Sequence, residues 1–239
     1  MSAALADRPR LDHLVVLADT LDAGAAWCEQ ALGVTPAPGG AHPLFGTHNR
    51  LLAIGGDAFA LAYLEIIAVD PDAPRGAPAA GRRRWFDMDD AALRAQVREN
   101  GPSLIHWVAR VPDLAQASLA LAALEIDRGE WLQASRDTPR GRLEWQITVR
   151  PDGQRLFGGC LPTLIQWGAR HPAAELAPSG VRLQALALRH PQAALLAQAL
   201  AAVGLRDVAV DTADQPELRA TLATPRGAVT LSSTRPARA

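Results

Sequence analysis

Hydrophobic and polar positions in the first seventy residues predict one strand, one helix and then three more extended segments. LDHLVVLA (Leu11 to Ala18) is a short apolar run of strand length. LDAGAAWCEQALG carries apolar residues at helical spacing and ends at Gly33, a residue that commonly terminates helices. A short extended piece, VTP, leads into a glycine-rich loop, PAPGGAHPLFG, and two strands follow, THNRLLAIGG and LAYLEIIAVD. The order is that of a βαβββ module.

The same order of elements returns twice along the chain. Residues 11–70 form the first module, 103–168 the second and 180–234 a degenerate third, and this inference rests on element order because residue identity between the copies is low. Residues 71–102 read as a linker with a helix, which begins at Asp89 or Asp90, ends at Gly101 and is expected to pack on the outside. The predicted fold class is α+β, with repeated modules forming curved, mostly antiparallel, cup-shaped sheets and helices outside.

Two polar residues interrupt strands that are otherwise apolar. Alternation along a strand sets His13 on one face with Leu11, Val15 and Leu17, and we expect this face to be the concave one. Glu65 interrupts the fourth strand, LAYLEIIAVD, in the same way. A buried carboxylate without a partner is costly, so Glu65 requires a metal, an arginine or water. His13 is equally well explained as a core histidine with satisfied hydrogen bonds.

Composition narrows the function classes. The formal net charge of the 239-residue chain is −1, which argues against strong electrostatic attraction to nucleic acid or to an anionic membrane. All 24 basic residues are arginine, so lysine chemistry is excluded. Cys28 and Cys160 are far apart and read as buried, idle thiols. With no apolar run of 18 residues or more and no secretory pattern at the start, we expect a soluble, cytoplasmic protein.

Arg136 and Trp145 form a second group of candidate residues. Arg136 is suited to bind an anionic or carbonyl oxygen of a ligand, with Trp145 close by on the neighbouring strand. A surface ion pair explains Arg136 equally well. In the glycine-rich loop, Gly39 and Gly40 permit positive φ, and Thr47 brings a hydroxyl group to the rim of the cup. The loop lacks the spacing of a phosphate-binding motif.

Several segments together resemble one known family. DHLVV, GGAHPLFGTHNRLLAIGG and AYLEIIAVDP, followed by SRDTPRGRLEWQI and LPTLIQWG, are similar to the glyoxalase-like domain family of the vicinal-oxygen-chelate superfamily. The resemblance covers residues 11–168, and the third module matches in topology only. It further implies that His42 and Asn49 help to build the site, although a well-formed turn before a strand explains both residues equally well.

The resemblance also implies a metal centre in the cup. Its ligand positions correspond to His13 and Glu65 in the first module and to His106 and Gln166 in the second. Such nitrogen and oxygen ligands suit Zn, Ni, Mn, Co or Fe(II). Gln166 stands where the family pattern leads us to expect a glutamate, so Glu65 is the one carboxylate of the set, and the site binds a metal weakly or holds none. His106 is alternatively a core residue, and Gln166 alternatively binds substrate.

Two functions are compatible with this sequence. The first is a metal-dependent lyase, isomerase or dioxygenase that acts on a small oxygenated substrate in the cup, with Glu65 or a metal-bound water as the base. The second is a non-catalytic protein of the same fold that binds or sequesters a small molecule. In both cases the partner is a small-molecule ligand, and we expect no binding to nucleic acid or membranes. The third module either caps the first two or pairs with a second chain to form a homodimer.

Overall fold

The computed structural model describes residues 8–79, 81–138 and 141–234, which form four α-helices and twelve strands. In chain order the elements are β1 (Arg10–Leu17), α1 (Leu21–Leu32), β2 (Ala37–His42), β3 (Thr47–Ala53), β4 (Tyr63–Val69), α2 (Ala91–Asn100), β5 (Ser103–Arg110), α3 (Leu114–Ala122), β6 (Glu130–Thr138), β7 (Gly141–Val149), β8 (Thr163–Trp167), β9 (Arg182–His190), α4 (Ala193–Ala202), β10 (Ala209–Thr212), β11 (Glu217–Thr224) and β12 (Gly227–Ser232).

The first two modules join edge to edge in one curved sheet. Its eight strands run in the order β2-β3-β4-β1-β5-β8-β7-β6. In each module the first strand pairs in parallel with the fourth, β1 with β4 and β5 with β8, while β1 and β5 pair antiparallel at the centre. The predicted cup of two βαβββ modules is thereby confirmed.

The two faces of this sheet carry separate hydrophobic cores. The face that carries α1, α3 and α4 holds a large core, which includes Cys28, Leu32, Leu114 and Leu196. The concave face holds a second core, which we call the cup-side core. Its members are Val15, Leu17, Phe45, Ile67, Trp85, Phe86, Met88, Val97, Ile105, Val108, Leu143, Trp145, Ile147, Val149 and Ile165.

Part of the linker between the modules packs inside the cup. Trp85, Phe86 and Met88, which precede α2, and Val97 on α2 itself belong to the cup-side core. The linker residues before α2 therefore close part of the concave face, while α2 itself buries only Val97. Its predicted ends are confirmed: Asp90 caps α2 through Leu93 N at 2.7 Å, and Gly101 ends it.

The third unit has the predicted element order but a different strand order. Its four strands run β10-β9-β11-β12, so the first strand, β9, lies between the second and third instead of beside the fourth. The third unit contributes to the large core on the face of α1, α3 and α4 through Leu183, Leu186, Leu188 and Leu218. It therefore covers the first two modules within one chain. Pairing with a second chain stays a prediction, which light scattering tests.

All helices of the described residues are short. They span 9 to 12 residues each, and side chains of Thr20, Asp90 and Asp113 cap the first three. Within residues 8–79, 81–138 and 141–234, no helix has the length and apolar character that crossing a membrane requires.

Candidate functional site

A narrow pocket opens on the concave face of the sheet, between side chains of the first and second modules. It contains about 450 Å³ of empty space when its opening to solvent is included. The residues that line it are His13, His42, Asn49, Leu51, Tyr63, Glu65, Trp85, Phe86, Arg136, Trp145, Ile147, Ile165, Trp167 and Pro172. Seven strands and the linker therefore contribute to its walls.

A β-bulge in β1 turns His13 into this pocket. The pairing of β1 with β5 shifts between Leu11 and His13, so Asp12 is the extra residue. Leu11 consequently packs on the helix side, not on the face of His13, while Val15 follows the predicted alternation. The bulge also lets two consecutive side chains meet: Asp12 Oδ1 lies 2.7 Å from His13 Nδ1.

Asp12 is a fully buried carboxylate that binds three donors. Besides His13, it accepts from Trp167 Nε1 at 3.0 Å and from His171 Nε2 at 2.8 Å. Burial alone would raise the pKa of Asp12, but the charges of His171 and His13 and their hydrogen bonds outweigh it and hold this pKa far below its usual range. Asp12 is therefore ionised, which fixes a proton on His13 Nδ1 and leaves Nε2 directed at the pocket.

Glu65 faces His13 across the pocket. The distance from Glu65 Oε2 to His13 Nε2 is 3.7 Å, and both side chains are about 6% exposed. Asn49 Nδ2 donates to the other oxygen, Oε1, at 2.6 Å. The ring of Tyr63 stacks on His13 with centroids 4.5 Å apart. One carboxylate oxygen and one imidazole nitrogen are thus left to meet a ligand.

His42 and Thr47 stand behind Asn49 and hold it. His42 Nε2 lies 3.4 Å from Asn49 Nδ2, and His42 Nδ1 lies 3.2 Å from Thr47 Oγ1. Burial, followed by the charges of Arg136 and His13, lowers the pKa of His42 to about 3, so its ring is neutral. The neutral ring accepts from Asn49 and donates to Thr47. Thr47 itself does not line the pocket.

The glycine-rich segment is the strand β2, not a loop. Gly39 and Gly40 lie at a bulge in its pairing with β3, and neither has a positive φ. They are needed for close approach instead: a Cβ at Gly39 would collide with the side-chain oxygen of Asn49. A Cβ at Gly40 would lie 2.6 Å from Arg136 Cδ. Gly40 N also donates to Asn49 Oδ1 at 2.8 Å, so this bulge fixes the amide that binds Glu65.

Arg136 and Trp145 line the opposite wall, as the sequence predicts. Nε of Arg136 is buried and has no hydrogen-bond partner among the described residues. Its charge acts on His42 and Tyr63, so the guanidinium lies within electrostatic reach of the His13 side of the pocket. Trp145 packs against Trp167 with ring centroids 5.4 Å apart. A cation and an indole wall therefore face the histidine and carboxylate.

His106 does not join this pocket. It is completely buried, its Nδ1 lies 3.0 Å from Gly159 O, and Thr163 N donates to its Nε2 at 3.2 Å. Because the backbone amide occupies the lone pair of Nε2, the proton is on Nδ1 and neither nitrogen is free for a metal. Burial, followed by the charges of Arg128 and Arg155, lowers the pKa of His106, which keeps it neutral.

Gln166 is also directed elsewhere. Its Oε1 accepts from Leu114 N at 2.8 Å and so satisfies the first turn of α3. Of the four ligands that the family resemblance implies, only His13 and Glu65 meet. In the part of the chain that the structure describes, no three His, Cys, Asp or Glu side chains form a metal-binding group. Catalytic zinc sites use three protein ligands, so the residues present do not fit a metal.

Sequence reasoning missed three residues of the site. Asp12 was not predicted because alternation assigns it to the face opposite His13, and the bulge brings the two side chains together. His171 follows β8 and reaches Asp12 from 159 positions away. Trp85 enters from the linker and stacks on Phe45 at 4.0 Å. A buried acid next to a histidine on an apolar strand was the one available signal.

The chain is similar in sequence to one family. A sequence model of the glyoxalase-like domain matches residues 11–204, which includes both modules of the cup and β9 and α4 of the third unit. No curated protein matches the chain.

Solved structures align with this chain at low sequence identity. A hypothetical protein from Staphylococcus aureus aligns with a TM-score of 0.58 and 15% identity, covering 87% of this chain and 88% of that one. Methylmalonyl-CoA epimerase from Streptomyces coelicolor, solved with 2-nitronate-propionyl-CoA, aligns at TM-score 0.40 and 15% identity, covering 67% and 98%. The epimerase from Mycobacterium tuberculosis aligns at 0.37 and 17%, covering 70% and 91%. Of these three alignments the first has a TM-score above 0.5, and at 15% identity its likeness concerns the fold alone.

Proposed function

The chain belongs to the glyoxalase-like domain family of the vicinal-oxygen-chelate superfamily, and we propose that it is an enzyme, an isomerase or lyase that moves a proton at a carbon beside a carbonyl group. The single observation that carries this proposal is the facing pair of His13 Nε2 and Glu65 Oε2, 3.7 Å apart in the pocket. A base and an acid at this spacing reach neighbouring atoms of one small substrate.

Glu65 acts as the base. Its Oε1 is held by Asn49 at 2.6 Å, so Oε2 is the oxygen that takes the proton from the substrate carbon. As that C–H bond breaks, its electron pair forms a C=C bond and negative charge develops on the carbonyl oxygen. The apolar neighbours of Glu65 exclude water, which strengthens every electrostatic interaction in the pocket.

His13 stabilises the developing enolate. Asp12 is ionised and its Oδ1 lies 2.7 Å from His13 Nδ1, so this carboxylate orients the ring and faces the positive charge of an imidazole that carries both protons. His13 Nε2–H donates to the substrate oxygen as its charge grows. Return of the proton from Glu65 to the same or a neighbouring carbon completes an isomerisation, and departure of a leaving group completes a lyase reaction.

Arg136 and Trp145 select the substrate. The unpaired Nε of Arg136 suits an anionic or carbonyl oxygen at the far end of the ligand. The indole of Trp145 supplies an apolar surface beside it. We therefore propose a small, oxygenated, negatively charged substrate. The metal that the family implies has no role in these steps, because two of its four donors, His106 and Gln166, bind other groups.

Deuterium exchange tests the proposal. Small 2-oxo acids, 2-hydroxy ketones and 2-oxoaldehydes are incubated with the protein in deuterated water, and loss of the proton beside the carbonyl is followed by proton NMR. We expect enzyme-dependent exchange with at least one compound, reduced by about 10²- to 10⁴-fold in Glu65→Gln. Glu29→Gln, a change on α1, is the matched control. Exchange that survives in folded Glu65→Gln contradicts the assignment of the base.

A non-catalytic binding protein is the second candidate, and the aromatic wall favours it. Tyr63, Trp85, Phe86, Trp145 and Trp167 all line the pocket and suit a flat apolar ligand. Quenching of tryptophan fluorescence by a compound that undergoes neither exchange nor conversion supports this candidate. Quenching together with exchange supports the enzyme.

A further inference from the structure

A second, smaller compartment lies in the half of the cup built by the second module. Trp85 and Phe86 line it on one side and the first pocket on the other, so the linker separates the two. It contains about 220 Å³ of empty space, its opening to solvent included. The other residues that line it are Arg128, Thr148, Val149, Arg150, Gly153, Gln154 and Thr163.

Arg128 is the charged group of this compartment, and the backbone around it is shaped to bury it. Asp127 Oδ1 accepts from Gly129 N at 2.8 Å, and Gly129 has a φ of 86°. A Cβ at Gly129 would lie 2.6 Å from Arg150 N, so only glycine lets this turn press against the end of β7. This turn places Arg128 in the interior, where the residue is only 5% exposed.

Two nitrogens of the Arg128 guanidinium have no hydrogen-bond partner among the described residues. Nη2 donates to Thr163 Oγ1 at 2.6 Å, but Nε and Nη1 are buried without any partner among the described residues. A buried cation with free donors is costly unless an anion neutralises it. Burial and the charge of Arg150 lower its pKa to about 10, so it still carries its charge at neutral pH.

The neighbouring acids do not supply that anion. Asp127 has a side chain that is 78% exposed and binds Gly129 N and Arg150. Asp152 receives two nitrogens of Arg150, at 3.1 and 2.6 Å, and is neutralised by it. Asp87 likewise pairs with Arg155 at 2.9 Å. His106 is neutral and accepts a backbone N–H, so it offers no charge.

We propose that this compartment binds a small carboxylate-class anion on Arg128. Nε and Nη1 donate to the anion, and Thr163 holds the guanidinium in place through Nη2. Inside its opening the compartment has room for little more than one water-sized group, which limits the anion to formate or to the carboxylate end of a longer molecule whose remainder reaches the first pocket past Phe86.

Calorimetric titration with sodium formate, at ionic strength held constant with sodium chloride, tests this site on the full chain. We expect saturable binding of one formate per chain and a rise in melting temperature with formate. Arg128→Met abolishes both effects, and Arg128→Lys, which keeps the charge but not the planar fork, weakens binding at least about tenfold. Arg206→Gln, which removes an exposed arginine, binds formate like the wild type.

Arg128→Met also separates binding from structure. Without formate it is expected to melt at or above the wild-type temperature, because a buried charge is removed. Absence of saturable binding up to about 100 mM formate, or unchanged binding in Arg128→Met, overturns the proposal. If Arg128→Met does not fold, Arg128→Lys decides, and wild-type affinity in that variant equally overturns it.

Two further measurements identify the source of the anion and separate this site from the proposed reaction. Competition between formate and a carboxylate compound that undergoes exchange indicates that the anion belongs to the substrate, and independent binding indicates a free anion. Glu65→Gln is expected to bind formate like the wild type, because Glu65 does not line this compartment. Formate binding that persists where exchange fails therefore supports the site even if the proposed function is wrong.

Discussion

Asp12 Oδ1 lies 2.7 Å from Nδ1 of His13, the next residue in the chain. In a regular strand these side chains would point to opposite faces, and the bulge at Asp12 is what allows the contact. The same carboxylate binds Trp167, the last residue of β8, and His171, which follows that strand. One buried acid therefore ties the pocket histidine of the first module to the end of the second.

Replacing this acid should cost stability as well as chemistry. Asp12→Asn offers one acceptor oxygen and a donating amide to three donors, so at least one contact becomes donor against donor. We expect the free energy of unfolding, measured with urea, to fall by about 2–4 kcal/mol. Asp19→Asn, at an exposed position, should change it by less than about 0.5 kcal/mol. Equal stability of the two variants would show that the three contacts are dispensable.

Gly39 should be as important to the site as the residues that touch ligand. In Gly39→Ala the new methyl group meets the amide of Asn49, which must move away from Glu65. We expect a loss of about 1–3 kcal/mol in stability and slower exchange at the substrate carbon. The matched control is Gly56→Ala, because a Cβ at Gly56 meets nothing closer than 3.9 Å. A crystal structure of Gly39→Ala with the bond from Asn49 to Glu65 intact would contradict this account.

The sequence was sufficient for the cup and for its central pair. Period-two alternation and the order of elements indicated two modules, and they set His13 and Glu65 on one concave face. Alternation fails where a strand carries a bulge, which is why Asp12 was missed and the predicted side of Leu11 was wrong. The sequence also gives no sign that the linker residue Trp85 folds into the cup, since an apolar linker packs equally well on either face.

His106 shows the limit of carrying a family position over without its surroundings. Its place on the first strand of the second module matches that of His13, but Thr163 and Gly159 bind both ring nitrogens. Those partners lie more than fifty residues away and depend on how β5 pairs with β8. Strand pairing of this kind cannot be inferred from a single strand's pattern.

The protein should bind a metal only weakly, because His13 and Glu65 are the two implied ligands that face the pocket. With only His13 and Glu65 available, we expect protein incubated with Zn, Ni, Mn or Fe(II) and then dialysed to retain well below one metal per chain by elemental analysis. Chelation should leave deuterium exchange unchanged. A stoichiometric metal that disappears in the double variant His13→Ala/Glu65→Ala would show instead that His106 or Gln166 leaves its present partners to complete the site.

His106 should make the protein sensitive to mild acid. Burial, followed by the charges of Arg128 and Arg155, lowers its pKa in the folded state below the unfolded value of about 6.5. Below that pH the unfolded chain binds a proton that the folded chain does not, so the free energy of unfolding falls as pH falls, by up to about 1.4 kcal/mol per pH unit. The effect is absent above pH ~7.5, where both states are neutral.

The variant His106→Gln isolates this contribution. Its amide replaces the donor to Gly159 O and the acceptor for Thr163 N imperfectly, so we expect about 1–3 kcal/mol lower stability at pH ~7.5. Glutamine does not titrate, so the gap between wild type and variant should narrow as the pH falls from 6.5 toward 4. Urea unfolding at several pH values measures this gap. Parallel profiles would mean that His106 is protonated in the folded protein and that its network with Thr163 differs from the one described.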